Sequence, residues 1–220
     1  MELRLLSKKK KKPELELNTD QKLALIALQK QKQVLELKEW LVMLGFIGIA
    51  SLLRIPMQVL PNVEPLTFFA ILAGWLFGRK KGFLVGVSSI YISNFLVFGG
   101  QGPWTFTQVI AFGLIGFLGG FLRKKSGMLE TMLLAFVGTM AMQIILNIGW
   151  AALIGFNFFA AMLTALPFTI VHVLSNTIFA AFLPKAKKVI YDAGKFNEKE
   201  LCDAYINNIA SRLPRKSKAE

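Results

Sequence analysis

The side chains best placed to do chemistry in this sequence are amides and indoles set at helical spacing. Gln143, Asn147 and Trp150 recur at i, i+4 and i+7, and Thr169, His172 and Asn176 at i, i+3 and i+7. Trp104, Gln108 and Ala111 do the same, while Tyr91 and Asn94 close another apolar stretch. Such groups offer hydrogen bonds and flat aromatic surface but no strong nucleophile or base, which suits binding better than bond making. Catalysis is not expected. The single histidine, His172, has no second His or acid nearby in sequence, and no paired carboxylates occur, so neither a metal site nor a triad can be assembled. One cysteine, Cys202, permits no internal disulfide and no thiolate cluster. No glycine-rich loop ends in Lys-Ser or Lys-Thr, so ATP is not held by a P-loop, and no cofactor is expected.

The elements that must position these groups are read from the charge pattern. Hydrophobic residues make up 54% of the 220 positions. From Trp40 to Leu183 only nine charged side chains occur: Arg54, Glu64, Arg79, Lys80, Lys81, Arg123, Lys124, Lys125 and Glu130. The two carboxylates, Glu64 and Glu130, are expected at the membrane edges, so the usual intramembrane acid of a proton-coupled pump is missing. The apolar stretches run approximately over 40–53, 66–78, 82–98, 104–122, 128–154 and 157–183. A spanning helix needs about 20 residues, so the first two must borrow from their flanks or be covered by neighbours. The last two can tilt, and Pro167 is expected to kink the sixth. The expectation is an all-α, polytopic membrane protein of six transmembrane helices. Its parts are a basic tail with an amphipathic helix over 1–39, a membrane domain over 40–183 and a tail over 184–220.

Orientation follows from the connections. Arg79-Lys80-Lys81, Arg123-Lys124-Lys125 and the group Lys185, Lys187 and Lys188 alternate with connections at 55–65, 99–103 and 155–156 that hold no Lys or Arg. The positive-inside rule then places both termini in the cytoplasm of a multi-pass protein of the cell membrane. The net charge of +13 serves orientation and contact with anionic lipid rather than nucleic acid, and the run Lys8–Lys12 reads as a solvated, lipid-attracted tail. Asn18 with Gln21 should cap an N-terminal helix, and Asn197 with Glu200 a C-terminal one carrying Leu201, Tyr205, Ile209 and Leu213 on one face. Both helices are expected to be amphipathic and cytoplasmic, lying on the membrane surface or against a partner. Most glycines, including the Gly82/Gly86 and Gly116/Gly120 pairs, are expected to serve helix packing.

On this topology Asn94, Gln101, Trp104, Gln108, Asn147, Trp150 and Asn157 all fall in the outer half of the membrane. Each could bond between helices. Taken as a set they could line an outward pocket for a neutral or weakly charged, flat organic solute. Arg54, at the outer end of the first helix, can pair with Glu64 or with an anionic solute, and the Glu64 pair is the expected arrangement.

The segment from Arg54 through Pro61-Asn62-Val63-Glu64-Pro65, Gly74, Phe77-Gly78, Gly82-Phe83-Leu84-Val85-Gly86 and Ser93-Asn94 to Gly100-Gln101-Gly102-Pro103-Trp104-Thr105 and Gln108 resembles a known family. It is similar to the substrate-binding S component of energy-coupling factor (ECF) vitamin transporters, in the subgroup with a GQGPWT loop. The resemblance implies a six-helix protein that captures a vitamin or related micronutrient, some members resembling cobalamin carriers. It also implies as partners a membrane T component and two ATPase subunits, which supply the energy. The family's Ala-x-x-x-Ala docking pattern is not matched by Gly45, Gly48, Ala50 and Ser51 of the first helix. The alternatives are a stand-alone secondary transporter or channel, and a membrane scaffold whose basic tails recruit cytoplasmic proteins.

Overall fold

The computed structural model describes residues 18–212, so the Lys8–Lys12 run and Leu213 lie outside the described residues. Within them the chain is all-helical: α1 (Thr19–Met57), α2 (Leu66–Phe77), α3 (Arg79–Ser93), α4 (Trp104–Gly119), α5 (Met128–Ile154), α6 (Phe158–Ala180), α7 (Leu183–Gly194) and α8 (Phe196–Arg212). Three of these, α1, α5 and α6, are long and apolar enough to cross a membrane, and α2 and α4 are shorter apolar helices. The long helices leave large apolar side chains uncovered, among them Leu41, Leu44 and Leu52 of α1, Leu133 and Val137 of α5, and Leu163 and Leu174 of α6. So broad an exposed apolar surface calls for a lipid or protein cover.

The helix ends explain how the short apolar stretches are accommodated. Asn18 starts α1: its Oδ1 accepts from Thr19 N at 2.6 Å, and Gln21 Oε1 accepts from Asn18 N at 3.1 Å. No break follows before Met57, so the first apolar stretch gains its length by continuing the N-terminal helix. The second solves the problem differently. At 12 residues α2 rises only about 18 Å, but Leu66, Ala70, Ile71, Leu72 and Ala73 are all fully buried. Protein surrounds it, with α3, α4, α6 and α7 packed against it. α6 runs unbroken through Pro167.

Glycine permits this packing. A Cβ built at either Gly74 or Gly82 would overlap the carbonyl oxygen of Gly116, one at Gly86 would meet that of Phe112, and one at Gly119 that of Ile71. The backbones of α2, α3 and α4 are therefore in direct contact, which maximises van der Waals contact between these helices. α1 adds ring contacts, with Phe46 at 5.5 Å from Phe69 and 6.4 Å from Phe77.

The basic segments meet at one end of this bundle. Trp75 Nε1 donates to the Arg123 carbonyl at 2.8 Å, and Lys187 Nζ donates to the Lys124 carbonyl at 2.8 Å. Lys187 also lies 4.1 Å from the Trp75 ring centre, and Arg79 lies 4.8 Å from that of Phe121. Lys81 pairs with Glu39.

The chain divides into two compact units, one being Leu37–Gly194. The other contains the described parts of Met1–Glu36 and Lys195–Glu220. In this second unit Lys32 Nζ lies 2.6 Å from Asp203 Oδ1, and Gln31 Nε2 donates to Glu198 Oε2 at 3.1 Å. Leu35, Phe196 and Cys202 are buried, while Leu201 and Tyr205 are exposed. Asn197 does not cap α8 as its spacing suggested. It lies inside the first turn, which opens at Lys195, a residue with φ +54° whose carbonyl accepts from Glu198 N. A helix over 183–194 was not foreseen in the C-terminal tail.

Replacing Gly116 by Val should cost about 1–3 kcal/mol, because the added atoms meet backbone that cannot move aside. Gly45→Ala is the control, since nothing lies within 4 Å of a Cβ built there. Thermal unfolding in detergent should show Gly116→Val several degrees below wild type and Gly45→Ala at or above it. Equal stabilities would remove the glycine contact as the basis of the bundle.

Candidate functional site

The end of the bundle where α1 and α3 stop and α2 and α4 begin gathers the polar side chains. Arg54, in the last turn of α1, donates through Nη1 to Ser93 Oγ and Asn94 Oδ1, each at 2.7 Å. Asn94, only 2% exposed, passes the network on: its Nδ2 donates to Gln108 Oε1 at 2.8 Å and Thr105 Oγ1 at 3.3 Å. Thr105 Oγ1 donates to Gln101 Oε1 at 3.0 Å and accepts from Gly102 N at 3.2 Å, and Gln101 Nε2 donates to the Tyr91 carbonyl at 2.7 Å. The Gly-Gln-Gly-Pro-Trp-Thr loop is thereby pinned to the end of α3. A side chain at Gly102 would displace the Trp104 indole, whose outer edge lies against it.

A second cluster forms around Glu64, in the α1–α2 connection. Its Oε2 accepts from the backbone N of Leu66 and of Thr67, capping the first turn of α2. Its Oε1 accepts from Thr67 Oγ1 at 2.7 Å and lies 3.2 Å from His172 Nε2. Burial pushes the Glu64 carboxyl up. The hydrogen bond and charge of His172, the Thr67 hydroxyl and the charge of Arg54 together outweigh that effect and hold the carboxyl below its ordinary value. Arg54 and Glu64 thus do not form the ion pair expected from sequence: Arg54 turns to Ser93 and Asn94, and Glu64 is taken by His172 and the α2 backbone. His172 does have an acidic neighbour, brought from 108 residues away in the chain.

Two cavities adjoin here. The first, about 340 Å³, is lined by Arg54, Gln58, Asn62, Glu64, Gln108, Gln143 and His172 among others. The second, about 520 Å³, is lined by Gly99, Trp104, Thr107, Gln108, Leu146, Asn147 and Trp150. Gln108 and Leu146 border both. The Trp104 and Trp150 rings meet edge to face, with centres 6.4 Å apart, and form an aromatic wall of the second cavity. Asn147 donates its Nδ2 to the Gln143 carbonyl at 2.8 Å.

Of the seven residues singled out from sequence, Trp104, Gln108, Asn147 and Trp150 share one cavity. Asn94 supports Gln108 from behind, and Gln101 holds the loop without lining either cavity. Asn157 stands apart as the cap of α6, its Oδ1 accepting from Phe159 N at 2.9 Å and Ala160 N at 3.3 Å. Arg54, Glu64, Gln143 and His172 line the first cavity although they stood outside those seven. Gln143 was legible, since it shares a helical face with Asn147; the Glu64–His172 contact has no local signal. Asn176, on the His172 face, bonds between helices instead, donating to Thr139 Oγ1 at 3.2 Å. Among the described residues no group of three or more His, Cys, Asp or Glu could hold a metal ion.

A model of a family of unknown function, DUF6580, matches residues 35–196. No curated protein and no solved structure matches the chain.

The lowered Glu64 carboxyl has a pH signature. A group whose folded-state value is depressed contributes stability that is complete above its unfolded value, about 4.3 for Glu, and lost as pH falls through the folded value. The stability gap between wild type and Glu64→Gln should therefore be present above about pH 4.3 and shrink as pH falls below it. Chemical or thermal unfolding across that range measures it; a gap that does not shrink below about pH 4.3 would contradict the assigned contacts.

Proposed function

The chain belongs to the DUF6580 family, whose function is unknown, so its role must be read from its own residues, and we propose that it is the substrate-binding S component of an ECF-type importer. On this reading it crosses the cell membrane six times with both termini cytoplasmic. It captures a vitamin or related micronutrient from outside, and a T component with two ATPases drives import. The protein itself binds and does not catalyse. The observation that carries the reading is the pair of adjoining cavities at the bundle end away from the basic segments. If basic segments face the cytoplasm, those cavities face outward.

Several features support this assignment over a self-sufficient transporter. The sequence lacks a phosphate-binding loop. Glu64 is buried, but it sits in a connection and both its oxygens are engaged in structural hydrogen bonds, so it is poorly suited to carry protons. The resemblance of the Arg54–Gln108 segment to S components supplies the partner class. Trp104 and Asn147 are the side chains whose loss should be felt first, the one by its flat apolar surface and the other by its buried amide.

In proteoliposomes the isolated protein should bind solute without accumulating it, and ATP-dependent uptake should appear only on adding a T component and its two ATPases. Radiolabelled vitamins, cobalamin and riboflavin among them, provide the readout. Trp104→Ala and Asn147→Ala should each weaken binding by about 1–3 kcal/mol, about five- to 150-fold, while remaining folded. Accumulation by the chain alone under a proton or sodium gradient would replace this reading with that of a lone transporter.

A further inference from the structure

Resting on the solute-binding reading above, we propose that the solute is a planar ring compound bearing one carboxylate, its carboxylate held by Arg54 and its ring against the Trp104–Trp150 wall. The first ground is the charge on Arg54. Its side chain lines the first cavity, and the partners of its Nη1 are neutral oxygens, Ser93 Oγ and Asn94 Oδ1. Among the described residues no carboxylate comes within ion-pair distance of it. A guanidinium remains protonated under all working conditions, and a partly buried charge is costly unless an opposite charge or several hydrogen bonds meet it. Glu64 lines the same cavity but is already committed: two backbone N–H groups, the Thr67 hydroxyl and His172 take its two oxygens.

The second ground is the count of charges around that space. Among the described residues Arg54 is the only Lys or Arg lining either cavity, while Glu64 and His172, which also line the first, face each other at 3.2 Å. A dianion such as a phosphate ester would have one guanidinium for two charges. A carboxylate matches the single guanidinium and its forked geometry. Gln108 and Gln143 line the cavity with it and can hydrogen-bond further polar atoms of the solute.

The third ground is the junction between the cavities. Gln108 and Leu146 border both, so the space at Arg54 and the space beside the indoles are neighbours across these two side chains. A molecule that moves them aside places its polar end in one chamber and its flat end in the other. This narrows the neutral or weakly charged solute expected from sequence to a monoanion.

The test uses the full-length protein in nanodiscs, incubated with the small-molecule fraction of a nutrient broth, with retained compounds identified by mass spectrometry against empty nanodiscs. Wild type should enrich a ring carboxylate, Arg54→Gln should lower its enrichment at least about tenfold, and Arg54→Lys should keep part of it. Should Arg54→Gln fail to fold, the methyl ester of the retained acid is competed against the acid on wild type. The ester should compete at least about tenfold more weakly. An enriched solute without a carboxylate, undiminished enrichment by folded Arg54→Gln, or equal competition by the ester would overturn the inference and leave solute binding standing. Enrichment of nothing over empty nanodiscs would overturn both.

Discussion

A polar group removed from water must find its partners inside the protein, and the cavity end of this bundle is organised by that requirement. An unpaired amide or carboxylate costs several kcal/mol in an apolar medium, so each one present restricts where its neighbours can be. Asn94 is the clearest instance. Nearly fully buried, it ties the end of α1 through Arg54, the start of α4 through Thr105 and Gln108, and its own helix end into one network. Glu64 does the same for the start of α2 and the middle of α6. The rigid frame around the two cavities is thus made of residues whose hydrogen bonds are used up. Those facing the cavities, Gln108, Gln143, Trp104 and Trp150, stand on that frame, which is the preorganisation a binding site needs.

The opposite constraint acts in the middle of the bundle. There α2, α3 and α4 touch backbone to backbone because glycine removes the side chains that would separate them. Close packing makes a 12-residue helix workable, since a short helix wrapped in protein has no need to match the bilayer by itself. The long helices α1, α5 and α6 keep apolar faces outside this packed centre. The connections at 55–65 and 95–103 are drawn into the polar network at the cavity end through Glu64 and Gln101. They already touch, Gln58 Oε1 accepting from Phe98 N at 2.7 Å.

The sequence exposed the features that repeat locally. Helical spacing brought Trp104, Gln108, Asn147 and Trp150 to notice, and they do border a common space. Hydropathy located the helical stretches, although α1 proved continuous with the N-terminal helix and α7 emerged from what read as a tail. Long-range choices between equivalent partners were not legible. Arg54 could reach Glu64 or the α3 terminus, and only the fold shows that it turns to Ser93 and Asn94. His172 looked isolated because its acid lies in a connection 108 residues earlier. Asn157 carries a local ambiguity: an Asn one residue before an apolar helix is as good a cap as a ligand, and here its side chain caps α6.

The central claim is that the two cavities open to the outside and hold a solute there. It is tested most directly by cysteine accessibility in intact cells, in a Cys202→Ser background. Leu60 lines the first cavity and is 60% exposed, whereas Lys125 belongs to a basic connection. A membrane-impermeant maleimide should label Leu60→Cys from outside, more slowly after preincubation with nutrient-broth solutes. Lys125→Cys should be labelled only once the cells are opened. Labelling of Lys125→Cys in sealed cells, with Leu60→Cys protected until opening, would contradict both the orientation and the site.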